Sequence, residues 1–219
     1  MEKQFDLDAE RKYSLAEIPS KIRISSPEEV NSLMRFCSGI KDWSNLLNNR
    51  KILEVGAGEC SFLPMFLKVS KPKRYVATDL FPERMEMARQ YIKSPLVEFC
   101  EANILSLPFN NSEFDLILAF GILHHIPSIN KALAEIVRVM KVNGLFIFRD
   151  PCSENPMVWL KYKFCHKSAN EFPISRKDIK VAFRATGMSI VYLNRFWLRF
   201  PWLPAGLWSV NLGGVARKI

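Results

Sequence analysis

The segment Lys51–Gly58, with the sequence KILEVGAG, decides the fold of this chain. A short apolar run that ends at glycines is typical of a buried strand followed by a tight turn. Gly56 and Gly58 allow the backbone to turn sharply and to come close to a ligand. The acid Glu54 sits at the carboxyl end of this strand, just before the glycines, and this placement indicates a role in binding.

Strand and helix patterns alternate from this segment onwards. A helix is predicted to begin at Ser26, which is followed by Pro27 and two acids, and to run to about Leu47. Strands are predicted at 51–55, 74–80, 96–102, 114–123, 145–150, 188–197 and 213–219, and helices at 60–69, 82–93, 130–140 and 175–186. This alternation indicates an α/β fold with a mainly parallel sheet between two layers of helices.

Composition sets limits on the compartment and the partners. The 219 residues carry a net charge of +9 and include five cysteines without paired spacing. The charged N-terminus lacks the apolar run of a signal peptide, which predicts a cytoplasmic protein with reduced thiols. Cys152, Cys165 and His166 lack the spacing of a metal site, so no metal is expected. The net positive charge makes nucleic acid and anionic membranes possible partners.

The predicted strand ends carry polar residues where open α/β sheets bind ligands. Asp79 ends the second strand, 21 residues after Gly58, and an acid there commonly accepts hydrogen bonds from ribose hydroxyls. Ser61 replaces the third glycine of a dinucleotide motif, and Glu54 and Glu59 flank the turn. Two carboxylates repel a pyrophosphate but suit an ammonium or sulfonium group, which argues against a nicotinamide-dependent oxidoreductase.

Four motifs make the pattern specific, in this order and at these spacings: ILEVGAGEC (52–60), ATDLFPE (77–83), EANILSLPFNNSEFDLILAFGILHHI (101–126) and ALAEIVRVMKVNGLFIFRD (132–150). Together they resemble the class I S-adenosylmethionine-dependent methyltransferases of the small-molecule branch. The resemblance covers 48–150 strongly and 175–195 more loosely. It implies a Rossmann-like, doubly wound sheet of seven mostly parallel strands, with the last strand antiparallel and helices on both faces.

The resemblance also implies a site for S-adenosylmethionine and its product S-adenosylhomocysteine. Glu54 would lie near the amino group of the cofactor's methionine portion. The backbone of Gly56, Ala57 and Gly58 would approach the methionine and the ribose, and Asp79 would hold the ribose hydroxyls. The family pattern is altered mildly after the turn, where Cys60 and Ser61 replace a common glycine, and at Asn143-Gly144, where Pro-Gly-Gly is usual.

Four further positions match the family's adenine and methionine contacts. Leu80 would pack on the adenine, Asn103 would bind the adenine amino group, and the Ile104 amide would lie at the ring edge. Phe120 would sit near the methionine portion. Structural interpretations stay open beside these: Glu54 as a capping or surface acid, Asp79 as a helix cap, Asn103 as a loop residue and Phe120 as core.

Methyl transfer to a hydroxyl requires removal of its proton, and histidine is the natural base near neutral pH. His124 and His125 follow the fourth strand, and on an extended segment at most one would face the substrate. Asp150 ends the neighbouring strand and could orient an imidazole or take the proton. This arrangement is similar to some sugar O-methyltransferases. The alternative is that the histidines only pack, and an amine or carbanion acceptor would need no strong base.

The predicted acceptor is a small or lipid-linked molecule, most simply a sugar hydroxyl. No Asn-Pro-Pro-Tyr/Phe motif follows the fourth strand, which argues against nucleic acid; methylation of RNA or protein and a non-catalytic cofactor-binding scaffold are the alternatives. Segments 159–167 and 195–208 mix aromatic and basic residues. They would cap substrate, contact the inner face of a membrane peripherally, or dock a protein partner. The predicted organisation is an N-terminal arm and helix over 1–47, acting as a lid, and a methyltransferase domain over 48–219 with a substrate cap at about 152–174.

Overall fold

The computed structural model describes residues 6–16, 23–164, 171–172, 174–196 and 210–219. The strands of its sheet are β1 (Lys51–Val55), β2 (Arg74–Asp79), β3 (Val97–Glu101), β4 (Phe114–Phe120), β5 (Met140–Pro151), β6 (Met188–Phe196) and β7 (Asn211–Lys218). The helices are α1 (Leu7–Ala16), α2 (Pro27–Ser38), α3 (Leu63–Val69), α4 (Pro82–Tyr91), α5 (Ile129–Val139), α6 (Pro156–Phe164) and α7 (Arg176–Ala185), with 3₁₀ turns at Ser44–Leu46 and Leu123–His125.

The seven strands form one sheet in the order β3-β2-β1-β4-β5-β7-β6. Strands β1 to β5 pair in parallel, whereas β7 is antiparallel to both β5 and β6. The predicted fold class, including the antiparallel last strand, is confirmed. The chain moves outward from β1 to β3 and then returns to β4 on the other side of β1, so the strand order reverses between β1 and β4. Their carboxyl ends therefore flank the crevice in which such sheets bind ligands.

Two apolar cores cover the two faces of the sheet. On β4, Ile117 and Ala119 face one core, which includes residues of α5 and α7, while Leu116 and Leu118 face the other, which includes residues of α2, α3 and α4. Successive side chains of a strand point to opposite faces, so a strand covered on both sides must be apolar throughout. This is why β4 is apolar without interruption from Leu116 to Phe120.

Helix α2 begins as predicted but is shorter. Ser26 and Glu29 form a reciprocal cap, in which the Glu29 amide donates to Ser26 Oγ at 3.2 Å and the Ser26 amide donates to Glu29 Oε2 at 3.0 Å. The helix ends at Ser38 because Gly39 adopts a left-handed conformation, with φ of 71°, and donates its amide to the Arg35 carbonyl. The prediction that this helix continues to Leu47 is wrong.

Strand β5 also differs from the prediction at its start. It begins at Met140 directly after α5, and its pairing with β4 shifts register between Phe114 and Leu116. Asn143 lies within this irregular part with φ of 62°. The Asn143-Gly144 pair therefore lies at a bulge inside the strand, and the prediction that this strand begins at residue 145 is wrong.

Phe183 on α7 provides a test of the packing between this helix and the sheet. Its buried ring makes edge contacts with Phe146 and Phe148, at centroid distances of 6.1 and 5.6 Å. We expect Phe183→Ala to lower the free energy of unfolding by about 3 to 5 kcal/mol, measured by urea denaturation, because it leaves a cavity. Val181 on the same helix is 55% exposed, so Val181→Ala is the matched control. Equal losses in the two variants would contradict the described packing.

Candidate active site

A cavity of about 360 Å³ lies at the carboxyl ends of the central strands. The turn after β1, the end of β2 and the loops after β3 and β4 form its floor and sides. Helix α1 and the start of α2 contribute the remaining wall. The cavity thus occupies the crevice that the reversal of strand order creates.

The glycine turn after β1 brings bare backbone to the cavity. Gly56 and Gly58 both have positive φ angles, 65° and 51°. A Cβ atom on Gly56 would lie 2.6 Å from Cγ1 of Ile122, which is closer than real contacts permit. The Ala57 amide donates to the Thr78 carbonyl at 2.8 Å and fastens the turn to β2. A side chain at Gly56 would therefore collide with Ile122 and would be strained by the positive φ angle.

Asp79 holds the turn from the end of β2. Its Oδ2 accepts the Gly58 amide at 2.9 Å, and its Oδ1 accepts the Phe81 amide at 3.0 Å. Burial raises the pKa of this carboxyl, although the two amides and Arg84 favour its charged form. Each carboxylate oxygen has two lone pairs, so Asp79 keeps capacity to accept hydrogen bonds from a ligand.

Glu54 is a buried acid that faces the cavity from the end of β1. Its Oε2 accepts the hydroxyl of Tyr75 at 2.6 Å. Burial raises the pKa of Glu54 to about 7; the Tyr75 hydrogen bond acts in the opposite direction, and the Asp79 charge adds to the rise. The carboxyl is therefore close to the balance between its neutral and charged forms at neutral pH. A cation placed beside it would favour the charged form.

All nine residues predicted to contact the cofactor line this cavity: Glu54, Gly56, Ala57, Gly58, Asp79, Leu80, Asn103, Ile104 and Phe120. Asn103 also stabilises its own loop, since its Oδ1 accepts the Leu105 amide at 2.9 Å. Phe120 is mostly buried and meets Phe62 edge-on, with ring centroids 5.5 Å apart. The sequence motifs are separated along the chain, and the sheet brings them to one place.

The two histidines have different surroundings. His125 lines the cavity, and its Nδ1 lies 3.1 Å from Oε1 of Glu10 on α1. His124 is buried, and its Nδ1 lies 2.7 Å from Oδ1 of Asp150, which also accepts the His124 backbone amide at 3.1 Å. Neither His124 nor Asp150 is among the described residues that line the cavity. The expectation that one histidine at most faces the substrate agrees with this geometry.

Sequence reasoning predicted a lid over 1–47 but did not identify the cavity-lining residues of α1, and it assigned no role to Arg149. Glu10, Tyr13 and Ser14 of α1 line the cavity, and an ion pair between Arg11 and Glu83 joins α1 to α4. Spacings of three and four residues place Glu10, Tyr13 and Ser14 on one helix face, which is the signal that could have found them. Arg149 lines the cavity from β5 and stands next to Asp150, where a polar pair at a strand end was visible in the sequence.

The predicted cap and membrane segments are described only in part. Residues 165–167 and 197–208 lie outside the described residues. On α6, Trp159 is 49% exposed and Leu160 43% exposed. The Phe172 amide donates to the His124 carbonyl at 2.6 Å, so the predicted cap contacts the loop after β4. Over the described ranges, no helix is long and apolar enough to cross a membrane, and no group of three or more His, Cys, Asp or Glu residues could hold a metal ion.

The strand order and the position of the cavity define a Rossmann-like α/β protein. Residues 53–148 match a family model described as "Methyltransferase domain". This segment is therefore a class I S-adenosylmethionine-dependent methyltransferase domain, as the sequence motifs predict. S-adenosylmethionine is the cofactor of this class, and the buried acid at Glu54 and the bare backbone at Gly56 fit its cationic methionine portion.

Two solved structures illustrate the likeness in fold. An S-adenosylmethionine-dependent methyltransferase from Mesorhizobium loti is 14% identical with a TM-score of 0.66, and the match covers 78% of this chain and 92% of that one. A methyltransferase of the same cofactor class from Methanosarcina mazei is 18% identical with a TM-score of 0.61, covering 78% and 93%. At these identities the likeness establishes the fold alone.

Curated relatives are similar over the same region. The phthiotriol/phenolphthiotriol dimycocerosates methyltransferase of Mycobacterium leprae is 29% identical over 104 residues, which are 48% of this chain and 38% of the relative. The ubiquinone/menaquinone biosynthesis C-methyltransferase UbiE of Bartonella tribocorum is 33% identical over 120 residues, covering 52% and 45%. The chain thus matches less than half the length of either relative.

The raised pKa of Glu54 predicts how stability depends on pH. The folded protein without ligand holds this proton up to a pKa of about 7, whereas an unfolded chain releases it near 4.5. The stabilisation is therefore present below about pH 4.5 and is lost as the pH rises through 7. As the pH rises from 5 to 8, we expect wild type to lose on the order of 2 kcal/mol of unfolding free energy relative to Glu54→Gln, because Gln has no proton to lose.

Urea unfolding of the ligand-free protein at several pH values measures this difference. Glu86 on α4 has a side chain that is 66% exposed, so Glu86→Gln is the matched control for loss of one acid. Its stability curve should run parallel to that of wild type. If the curve of Glu54→Gln also runs parallel, Glu54 does not titrate in the folded protein in this range.

Proposed function

We propose that this chain transfers a methyl group from S-adenosylmethionine to a hydroxyl of a small or lipid-linked acceptor, such as a sugar. The observation that carries the proposal is the convergence of Glu54, the glycine turn and Asp79 on one cavity at the sheet's switch point. Bound S-adenosylmethionine supplies an electrophilic methyl group. The residues of the chain bind the cofactor, exclude water and remove the proton from the acceptor hydroxyl.

The cofactor residues act by complementary charge and hydrogen bonding. Glu54 binds the ammonium group as a carboxylate, since the cation offsets the cost of burial. Asp79 accepts hydrogen bonds from the ribose hydroxyls while it keeps its two amide donors. Leu80 and Ile104 pack at the adenine, and Asn103 takes the adenine amino group. Phe120 packs beside the methionine portion.

His125 is the proposed general base. It is the described histidine that lines the cavity, and Glu10 lies within ion-pair distance of its Nδ1. A carboxylate at this distance would offset the positive charge that the ring gains when it takes the proton of the acceptor hydroxyl. His124 and Asp150 are positioning residues in this scheme, because their buried pair ties the loop that carries His125 to β5.

Helix α1 is proposed to act as a lid within the arm and helix over 1–47, beside the methyltransferase domain over 48–219. Glu10, Tyr13 and Ser14 form one wall of the cavity, and the Arg11–Glu83 ion pair ties the helix to α4. A ligand that fills the cavity would be enclosed by this helix. Closure of this kind excludes water from the reacting groups.

A peripheral membrane contact is proposed for α6, which would suit a lipid-linked acceptor in a cytoplasmic protein. Met157, Trp159 and Leu160 are between 43% and 61% exposed. Exposed aromatic and aliphatic side chains near basic residues favour the interface of an anionic bilayer. The name of the Mycobacterium leprae relative includes a lipid acceptor, which agrees with this interpretation.

A carbon acceptor is the second candidate. The relative from Bartonella tribocorum is named a C-methyltransferase of ubiquinone and menaquinone biosynthesis. The two candidates differ in the product, since a methyl ether and a C-methyl group have distinct carbon-13 chemical shifts. Products made with carbon-13-labelled methyl donor would separate them.

Titration calorimetry tests the cofactor assignment. We expect wild-type protein to bind S-adenosylmethionine and S-adenosylhomocysteine but not NAD. Asp79→Ala should weaken the binding of S-adenosylmethionine and of S-adenosylhomocysteine by at least tenfold, because charged hydrogen bonds contribute about 1.5 to 3 kcal/mol. Asp42→Ala removes an acid whose described hydrogen bonds are to Ser44 and Asn45, remote from the cavity, and is the matched control. Failure of wild type to bind either ligand would refute the proposed function.

Turnover tests the base. On the first hydroxyl acceptor that supports release of S-adenosylhomocysteine, His125→Gln should lower kcat by about 10² to 10⁴ and leave cofactor affinity near that of wild type. Gln keeps hydrogen-bonding capacity but cannot take up a proton at neutral pH. An unchanged kcat would remove His125 from the chemistry.

A further inference from the structure

Arg149 lines the cavity, and none of the described residues pairs with its positive charge. Three arginines line the cavity, and two of them pair with acids: Arg23 with Glu29, and Arg84 with Glu59 at 2.7 Å. Within the described part of the chain, Arg149 has no ion pair, and its buried Nε has no hydrogen-bond partner. A half-buried cation of this kind is costly unless something satisfies it.

The acids around the cavity are already engaged. Glu54 accepts the Tyr75 hydroxyl, Asp79 accepts two amides, and Glu10 lies beside His125. Asp150 is the immediate neighbour of Arg149 in β5, but successive side chains of a strand point to opposite faces. Asp150 is bound instead to His124 on the other face. The protein therefore presents Arg149 to whatever enters the cavity.

The position of Arg149 along the sheet edge places it on the far side of β4 from the turn that receives the cofactor. The order of strand ends is β2 with Asp79, β1 with Glu54, β4 with Phe120 and β5 with Arg149. Neighbouring strands lie about 4.8 Å apart, so β5 is about 10 Å from β1. Arg149 pairs in register with Phe120, and its guanidinium lies 3.7 to 3.9 Å from the position of a Cβ on Gly121.

We infer that Arg149 is the oxyanion receptor of this site and binds a carboxylate of the ligands that fill the cavity. A guanidinium offers parallel N–H donors that match the two oxygens of a carboxylate. The location on β5 favours an acid group on the methyl acceptor; the carboxylate of the cofactor's methionine portion is the other source of the same chemistry. The inference rests on the proposed function and adds a specificity for acidic acceptors to it.

Two binding measurements on the full chain separate these sources. The first compares S-adenosylmethionine with decarboxylated S-adenosylmethionine, which keeps the amine and sulfonium but lacks the carboxylate. The second titrates benzoate and its neutral counterpart benzyl alcohol into protein saturated with S-adenosylhomocysteine. The benzene ring suits the apolar side of the cavity at Phe62, Phe120 and Ile122.

The variants are Arg149→Met, which keeps much of the side-chain length without charge, and Arg149→Lys, which restores charge without the paired donors. We expect Arg149→Met to weaken the binding of benzoate at least tenfold and to leave the binding of benzyl alcohol unchanged. The benzoate affinity of Arg149→Lys should lie between those of Arg149→Met and wild type. Arg217→Met is the matched control, since Arg217 is exposed on β7 and pairs with Leu145, four residues along β5 from Arg149.

Each result has a defined meaning. Loss of benzoate affinity in Arg149→Met supports the inference with the acceptor as source. If Arg149→Met binds S-adenosylmethionine more weakly but binds the decarboxylated form as wild type does, the inference is supported with the cofactor as the source of the carboxylate. If neither carboxylate depends on Arg149 in a variant that melts like wild type, the inference is overturned while cofactor binding, and with it the proposed function, stands. Absence of S-adenosylmethionine binding in wild type would instead defeat the proposed function.

Discussion

The carboxylate of Asp79 accepts two backbone amides, and the arrangement of the site depends on this interaction. One amide belongs to the glycine turn after β1 and the other to the loop after β2. The same side chain therefore sets the spacing between two strand ends and faces the cavity between them. Because the glycines of this turn can adopt many backbone conformations, the anchor helps to hold the turn in one of them. A single residue thus links the fold to the binding of a ligand.

The histidine pair shows how a short helical turn separates two neighbouring side chains. Leu123–His125 is a 3₁₀ turn, in which successive residues are rotated by about 120°. One ring is directed to the buried Asp150, and the other reaches the cavity beside Glu10. The ring centroids remain only 4.1 Å apart. Two adjacent and identical residues therefore receive different environments from local backbone geometry.

The sequence predicted the sheet and nine residues that line one cavity, because both depend on local patterns. Glycines, acids and apolar runs at strand ends are close along the chain, and parallel strands bring their ends together. The end of α2 was missed because the apolar pattern continues beyond Gly39, whose left-handed conformation stops the helix. A lid over 1–47 was predicted, but the cavity-lining residues of α1 were not, because their positions depend on contacts with α4 and with the loop after β4, which are distant in sequence. Arg149 is visible in the sequence as a polar residue at a strand end, but its lack of an ion pair within the described residues is seen only in three dimensions.

The burial of Glu54 has a consequence for the energetics of ligand exchange. With a pKa of about 7, Glu54 is protonated in a large fraction of ligand-free molecules at neutral pH. Before a cation can pair with this carboxyl, Glu54 must release its proton to solvent. Occupancy of the cavity is thereby coupled to the acidity of the surroundings, and part of the heat of association comes from the buffer that takes up the proton. A drop in pH would therefore weaken the binding of a cation beside Glu54.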